Sequence, residues 1–288
     1  MRLTYRQMLQ KAVQMLMQAG VPDASLDAWY LMEHVTGMSR ARYFMDQGEE
    51  MPEEEREAYL QIAERRCERI PLQHLLGEAY FMGLPFYVNE NVLIPRQDTE
   101  KLVELVLAAQ ERGEIPQQAR LLDMCTGSGC IAVSLAKLGS WEEVTAADIS
   151  EPALLAAGKN AERNGCRIRY VSSDLFAALE DEVFDVIVSN PPYIPTDEIP
   201  ELMPEVREHD PLLALDGHAD GLYFYRRLAE DSRNHLREGG SIFLEIGCEQ
   251  GADVRRLLLE AGYTAVRIEK DDTGHDRVVT GEWKCLIN

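Results

Sequence analysis

Four short, largely apolar runs, each ending at a glycine loop, an acid or an amide, constrain this chain more than anything else in it. The segment Arg120-Leu121-Leu122-Asp123-Met124-Cys125-Thr126-Gly127-Ser128-Gly129-Cys130-Ile131-Ala132-Val133 reads as a buried strand, a small-residue turn and the start of a helix. Glu143-Val144-Thr145-Ala146-Ala147 ends at Asp148, and Arg169-Tyr170-Val171-Ser172 delivers Ser173-Asp174-Leu175. Phe184-Asp185-Val186-Ile187-Val188-Ser189 delivers Asn190. An open α/β sheet builds its site along the carboxyl edge of its strands, so Gly127, Asp148, Asp174 and Asn190 are expected on one edge.

These strand ends suit an adenosine. Gly127 and Gly129 let backbone approach a ligand, and the N–H groups opening the next helix are expected to face the same spot. The spacing is not the G-x-G-x-x-G of dinucleotide sites. Asp148, about twenty residues on, stands where an acid accepts bonds from ribose hydroxyls, although a turn or helix cap before Ser150 and Pro152 is the plainer use. The Asp174 carboxylate is expected to meet an adenine amino group, with Leu175 packed on the ring. A phosphate-rich cofactor calls for Arg or Lys near the loop, or for Gly-Lys-Ser/Thr, and the local sequence has neither. A sulfonium cation such as S-adenosylmethionine fits an acid-lined pocket better.

Asn190-Pro191-Pro192-Tyr193 suggests what the site methylates. A planar amide or amino nitrogen is a poor nucleophile, so its hydrogens must be held and its lone pair left facing the donor. The Asn190 side-chain oxygen and a main-chain carbonyl beside the prolines can accept two N–H bonds. Pro191 and Pro192 remove two backbone donors and fix φ, and Tyr193 offers a flat face. The competing reading is a proline turn that closes a strand.

Taken together, the chain resembles the glutamine methyltransferases that modify class 1 peptide chain release factors. The resemblance runs through Ile94-Pro95-Arg96-Gln97-Asp98-Thr99-Glu100, the glycine loop, Asp148-Ile149-Ser150, Ser173-Asp174-Leu175-Phe176 and Asn190-Pro191-Pro192-Tyr193-Ile194. It continues through Asp220-Gly221-Leu222-Tyr223-Phe224-Tyr225, Leu244-Glu245-Ile246-Gly247 and Asp276-Arg277-Val278-Val279. Three positions depart from the pattern: Cys125 replaces a usual glycine, Gln97 a usual proline, and Asp210 a usual glutamate before Pro211. Membership implies a Rossmann-like class I S-adenosylmethionine-dependent methyltransferase domain with a small N-terminal all-helical domain joined by a β-hairpin. The boundaries expected are 1–77 for the helical, substrate-recognising domain, 78–95 for the hairpin and 96–288 for the methyltransferase domain. The cofactor site would comprise Cys125, Thr126, Gly127, Ser128, Gly129, Asp148, Ile149, Asp174, Leu175 and Asn190. Asn190, Pro191, Pro192 and Tyr193 would be the catalytic and substrate-binding residues.

Outside the site, Met8, Ala12, Met15, Leu16 and Ala19 recur at helical spacing before Gly20, Ser25 opens a second helix, and a third runs from about Pro52 to Ile70. Residues 78–88 read as a hairpin around a Gly-Leu-Pro turn. Thr196 to Pro204 form a proline-punctuated insert expected to cover the pocket. A helix over 221–236, a strand over 241–246, a helix over 250–261 and a last strand pair complete the sheet. His209, His218 and His275 show no ligand spacing, so no metal is expected.

A formal net charge of −21 repels phosphates, so nucleic acid is a poorer target than a basic protein that works on the ribosome. Glu49-Glu50-Met51-Pro52-Glu53-Glu54-Glu55 reads as a solvated loop and helix start. Cys67, Cys125, Cys130, Cys166, Cys248 and Cys285 are irregularly spaced, which points to reduced thiols in a cytoplasmic protein; a monomer is expected, although no residue pattern specifies it. No stretch has the apolar length of a membrane span or the pattern of a leader. Three other readings stay open: glutamine methylation of a ribosomal protein, adenine N6 methylation of DNA or RNA, and cofactor binding without catalysis.

Overall fold

The computed structural model describes residues 3–284, so Cys285 lies outside the described residues. The chain forms two compact units: one takes the chain up to Gly77 together with Met203–His209, the other Glu78–Leu202 and the chain from Asp210 onward.

The first unit is helical, with helices Tyr5–Gln18, Ala24–Thr36, Arg40–Asp46, Glu53–Cys67, Leu72–Leu76 and Pro204–Arg207. Thr4 starts the first with a capping box, its hydroxyl accepting the Gln7 N–H while the Gln7 side chain accepts the Thr4 N–H. Met8, Ala12 and Leu16 bury completely against Leu31, Met32 and Tyr59. Burying the phenol of Tyr59 requires a partner, and its hydroxyl donates to the Ala28 carbonyl at 2.9 Å. Glu53, Glu54 and Glu55 occupy the first turn of their helix and Arg65 and Arg66 the last, matching its dipole. This helix ends at Cys67, short of the expected Ile70. Arg40–Asp46 and Leu72–Leu76 were not expected, since seven and five residues are too few to show a helical period.

The insert after Asn190 contributes to this unit through Glu205. Its carboxylate accepts from Arg66 at 2.9 Å and from Arg69 at 2.6 and 2.5 Å, and Arg66 also donates to Asp27 at 2.8 Å. Burial opposes the charge on Glu205, but the two guanidinium groups hold its pKa below the ordinary value.

The second unit opens with a hairpin, β1 (Glu78–Phe81) and β2 (Leu84–Tyr87). Its turn is Met82-Gly83, with φ of 50° and 72°, so Leu84 and Pro85 belong to the strand and not to the expected turn. The main sheet comprises β3 (Ala119–Met124), β4 (Trp141–Asp148), β5 (Arg169–Ser172), β6 (Phe184–Ser189), β7 (Leu236–Glu245), β8 (Thr264–Lys270) and β9 (Asp276–Glu282). Their order is β5-β4-β3-β6-β7-β9-β8. The five strands from β5 to β7 run parallel, while β9 is antiparallel to both its neighbours. Order reverses between β3 and β6, which opens a crevice at their carboxyl ends.

Alternating side chains give this sheet two apolar faces. Leu121, Val186 and Phe243 pack with helices Glu100–Glu111 and Cys130–Leu138, whereas Leu122, Ile187 and Leu244 pack with Tyr223–Asp231 and Gly251–Glu260. Helix Glu100–Glu111 was missed, although Leu102, Val103 and Val106 bury fully at helical spacing. The helix expected over 221–236 stops at Asp231, and after a 3-10 turn Leu236 begins β7 opposite Phe184; the register shifts before Ser241, where the apolar run of the strand meets Val186.

Candidate active site

Register brings the expected strand ends together. Met124 of β3 pairs with Ala147 of β4 and Ser189 of β6, and Asp148 pairs with Ser172 of β5. A cavity of about 280 Å³ lies over this edge. Cys125, Thr126, Gly127, Ser128, Asp148, Ile149, Asp174, Leu175, Asn190 and Pro192 line it, as the sequence led one to expect.

Gly129, Pro191 and Tyr193 do not line it. A Cβ on Gly129 would stand 2.8 Å from the Ala157 Cβ, so this glycine serves the packing of helix against helix. Tyr193 packs its ring on the second apolar face, and burial pushes its phenol up to about 12. The ring expected to greet a substrate amide is thus half-buried, with part of its surface packed against that face.

The glycine loop also differs from expectation in its hydrogen bonding. Thr126 N–H donates to the Ala147 carbonyl, Gly127 N–H to Asp148 Oδ2 at 2.8 Å, and Gly129 N–H to the Thr126 carbonyl. Ala132 N–H and the Thr126 hydroxyl both reach Asp123 Oδ2, at 3.1 and 2.6 Å. Most of the loop amides thus shape the loop. Cys125 adopts φ 62°, a left-handed conformation costing a non-glycine residue roughly 1–2 kcal/mol, and so it makes the turn that glycine would make freely. Burial pushes its thiol up, leaving it neutral.

Asp148 serves as both a turn residue and a cavity wall: Oδ1 accepts from Ser150 N–H at 2.9 Å while Oδ2 holds Gly127. Each oxygen keeps a further lone pair for a ribose hydroxyl. Burial raises its pKa against the pull of these amides. Asp174 Oδ1 is bound by Arg227 at 2.8 Å. Arg96 also lines the cavity and reaches Asp210 Oδ2 at 2.5 Å. The local sequence showed no cation near the loop; the fold brings in two from distant segments, and each is neutralised by an aspartate. Phosphate recognition thereby remains disfavoured.

The Asn190 Nδ2 donates to Thr99 Oγ1 at 3.3 Å. Behind them is Glu245, 2 % exposed, whose burial pushes its carboxyl up to about 7 against the hydrogen bonding of Thr99 and Asn190. Thr99 and Glu245 were not read as site residues, although both stand in segments that carry the resemblance, Ile94 to Glu100 and Leu244 to Gly247. Their signal was position, Glu245 at the end of the strand beside β6.

Of the histidines, His218 packs its ring against Tyr223, and His275 Nδ1 meets the Thr273 hydroxyl at 2.8 Å. Among the described residues no cluster of three His, Cys, Asp or Glu is placed to hold a metal, and no helix is long and apolar enough to cross a membrane.

The open, mostly parallel sheet with a nucleoside-sized cavity at its switch point defines a methyltransferase-type α/β domain. The methyltransferase small domain model matches residues 100–203, and the PrmC N-terminal domain model matches residues 7–77. The fold is shared with the Thermus thermophilus 16S rRNA N2 G1207 methyltransferase, solved with AdoMet and guanosine, at TM-score 0.53 and 21% identity over 72% of this chain and 50% of that one. Sequence similarity goes further. The chain is 40% identical to a release factor glutamine methyltransferase of Geobacter sulfurreducens over 96% of both chains. It is 42% identical to one of Gloeobacter violaceus over 94% of this chain and 95% of that one. The chain belongs to the release factor glutamine methyltransferase family.

Proposed function

We propose that this protein transfers a methyl group from S-adenosylmethionine to the side-chain amide nitrogen of the glutamine in the Gly-Gly-Gln loop of class 1 release factors. The substrate rests on identity spread over the whole length of relatives named for it. The observation that carries the chemistry is Asn190, held at the cavity wall by its Nδ2 so that Oδ1 is left for a substrate.

The cavity suits the cofactor. Beside Gly127, with φ 55°, no atom stands within 4 Å of where a side chain would begin, so a ligand can lie against its backbone. Asp148 offers lone pairs to the ribose, Ile149 and Leu175 offer apolar surface to the base, and the acidic lining favours a cation. When bound, S-adenosylmethionine supplies an electrophilic methyl carbon on a positive sulfur.

Asn190 Oδ1 and the Pro191 carbonyl accept the two N–H bonds of the glutamine amide and turn its lone pair toward that carbon. As nitrogen gains positive charge these bonds strengthen, so they favour the transition state over the ground state. The methylated nitrogen is strongly acidic and gives its surplus proton to water; no side chain is needed as base. Positioning then carries most of the rate. We also infer a monomer that works in the cytoplasm, where translation termination takes place, and that meets its protein substrate without gripping nucleic acid, consistent with the net charge of −21.

The test is mass spectrometry of unmodified release factor incubated with the enzyme and S-adenosylmethionine, with Asn190→Ala as control. One added methyl on the Gly-Gly-Gln glutamine, absent with the variant, is expected. Transfer to a ribosomal protein or to nucleic acid instead would overturn the substrate assignment.

A further inference from the structure

The two ends of an asparagine amide are the same size, so only hydrogen bonding decides which one faces a cavity. For Asn190 that choice is decisive: an outward oxygen accepts the glutamine N–H, while an outward NH₂ would oppose it. The chain places a buried carboxyl where it can make the choice. Ser189 of β6 pairs with Leu244 of β7, so Asn190 and Glu245 are the next residues at the carboxyl ends of two adjacent parallel strands. Glu245 is 2 % exposed and its Oε2 has no hydrogen-bond partner among the described residues. Thr99, also 2 % exposed, already receives Asn190 Nδ2 on its hydroxyl oxygen at 3.3 Å. With that oxygen used as an acceptor, the Thr99 hydroxyl hydrogen is free to be given to an acceptor.

We propose that Glu245 is a positioning residue which, as a carboxylate, orients the Asn190 amide directly and through Thr99. Glu245 accepts the Thr99 hydroxyl hydrogen and the second Nδ2 hydrogen, the Thr99 oxygen keeps the first, and Asn190 Oδ1 is left pointing to the substrate. A protonated Glu245 is itself a donor. It competes for the Thr99 oxygen and attracts Asn190 Oδ1, which turns the amide the wrong way. This inference rests on the role of Asn190 proposed above.

Arg277 of β9 favours the charge on Glu245 and is itself ion-paired to Asp98 and Asp271, each at 3.1 Å; Asp98, in the turn before Thr99, opposes that charge. The Tyr225 hydroxyl donates to the Glu245 main-chain carbonyl at 2.7 Å. Burial pushes the Tyr225 phenol far above its ordinary value and lifts Tyr193 and Cys130 to about 12. Burial sets Glu245 at about 7, so turnover is expected to rise with pH through neutrality. Burial also lifts the Asp123 carboxyl of β3 to about 7, but its Oδ2 is held by the Thr126 hydroxyl and Ala132 N–H, so it is the variant profiles at Glu245 and Thr99 that assign the rise.

The experiment is kcat against pH from about 6 to 9 on unmodified release factor, with cofactor Kd measured separately by calorimetry. Glu245→Gln is expected to lower kcat about 10- to 100-fold at the alkaline end and to abolish the rise attributed to Glu245, with cofactor Kd little changed. Thr99→Val should do the same and Thr99→Ser should restore the native profile; this pair decides the matter if Glu245→Gln does not fold. A native kcat and profile in Glu245→Gln, or in Thr99→Val, overturns the proposal. Asn190→Ala at native speed would instead overturn the reading beneath it, so the two failures are distinguishable.

Discussion

Gln250 Nε2 donates to the main-chain carbonyl of Tyr193 at 2.9 Å. The same nitrogen reaches the Gly221 carbonyl at 3.3 Å, and Gln250 Oε1 accepts the Gly247 N–H at 3.0 Å. One side chain thus ties the loop after β6 to the two loops that flank it. Gln250→Ala leaves these groups unpaired, at a cost of about 1–3 kcal/mol. Turnover should fall more than cofactor affinity, since the loop it secures carries Asn190 and not the glycine turn. Steady-state kinetics and calorimetry on one preparation check this; equal losses would count against it.

Gly221 cannot bear a side chain. Its φ is 68°, and a Cβ would stand 2.3 Å from the Tyr193 carbonyl oxygen and 2.6 Å from Gln250 Nε2. Gly221→Ala should displace the Asn190 loop and cost activity about 100-fold or more. Gly274, with φ 88° and nothing nearby, is the control: Gly274→Ala should leave turnover near native.

Asp148 has two duties, so its substitution should show two effects. Asp148→Ala removes acceptors from Gly127 and Ser150 N–H as well as the acceptor proposed for the cofactor ribose. Cofactor Kd should rise about tenfold or more while thermal stability falls by about 1–3 kcal/mol. Asp148→Asn keeps one acceptor and should fall between. An unchanged Kd in both variants would remove Asp148 from the cofactor site.

Glu205 is the keystone of the helical unit. The Arg66 side chain is 6% exposed and that of Glu205 10%. Removing the acid in Glu205→Ala leaves buried guanidinium groups short of a partner, which costs about 3 kcal/mol. Because the folded-state pKa of Glu205 lies below its ordinary value of 4.5, its stabilisation is complete above that value and disappears as pH falls through the folded pKa. Urea unfolding at neutral pH should separate native from variant, and the gap should narrow only in acid.

The strand ends were legible because an acid or small residue after an apolar run marks where a parallel sheet opens, and Asp148, Asp174 and Asn190 fell where that rule put them. Tyr193 shows its limit. Its aromatic ring suits a substrate platform or a core equally well by type, and only the tertiary packing set it half-buried against the second apolar face and outside the cavity lining. Short helices such as Arg40–Asp46 escaped notice because fewer than two turns carry no period.

The sequence by itself determined the sheet, the glycine turn, the acidic edge and the resemblance to a glutamine methyltransferase, since all of these depend on residues close along the chain. Tertiary structure alone decided which partners those residues found. Arg227 came to Asp174, Arg96 to Asp210, Arg66 and Arg69 to Glu205, and Thr99 to Asn190. Such pairs are far apart in sequence, and a side chain's charge or hydrogen-bonding capacity does not specify its partner until the packing of apolar faces has fixed which segments meet.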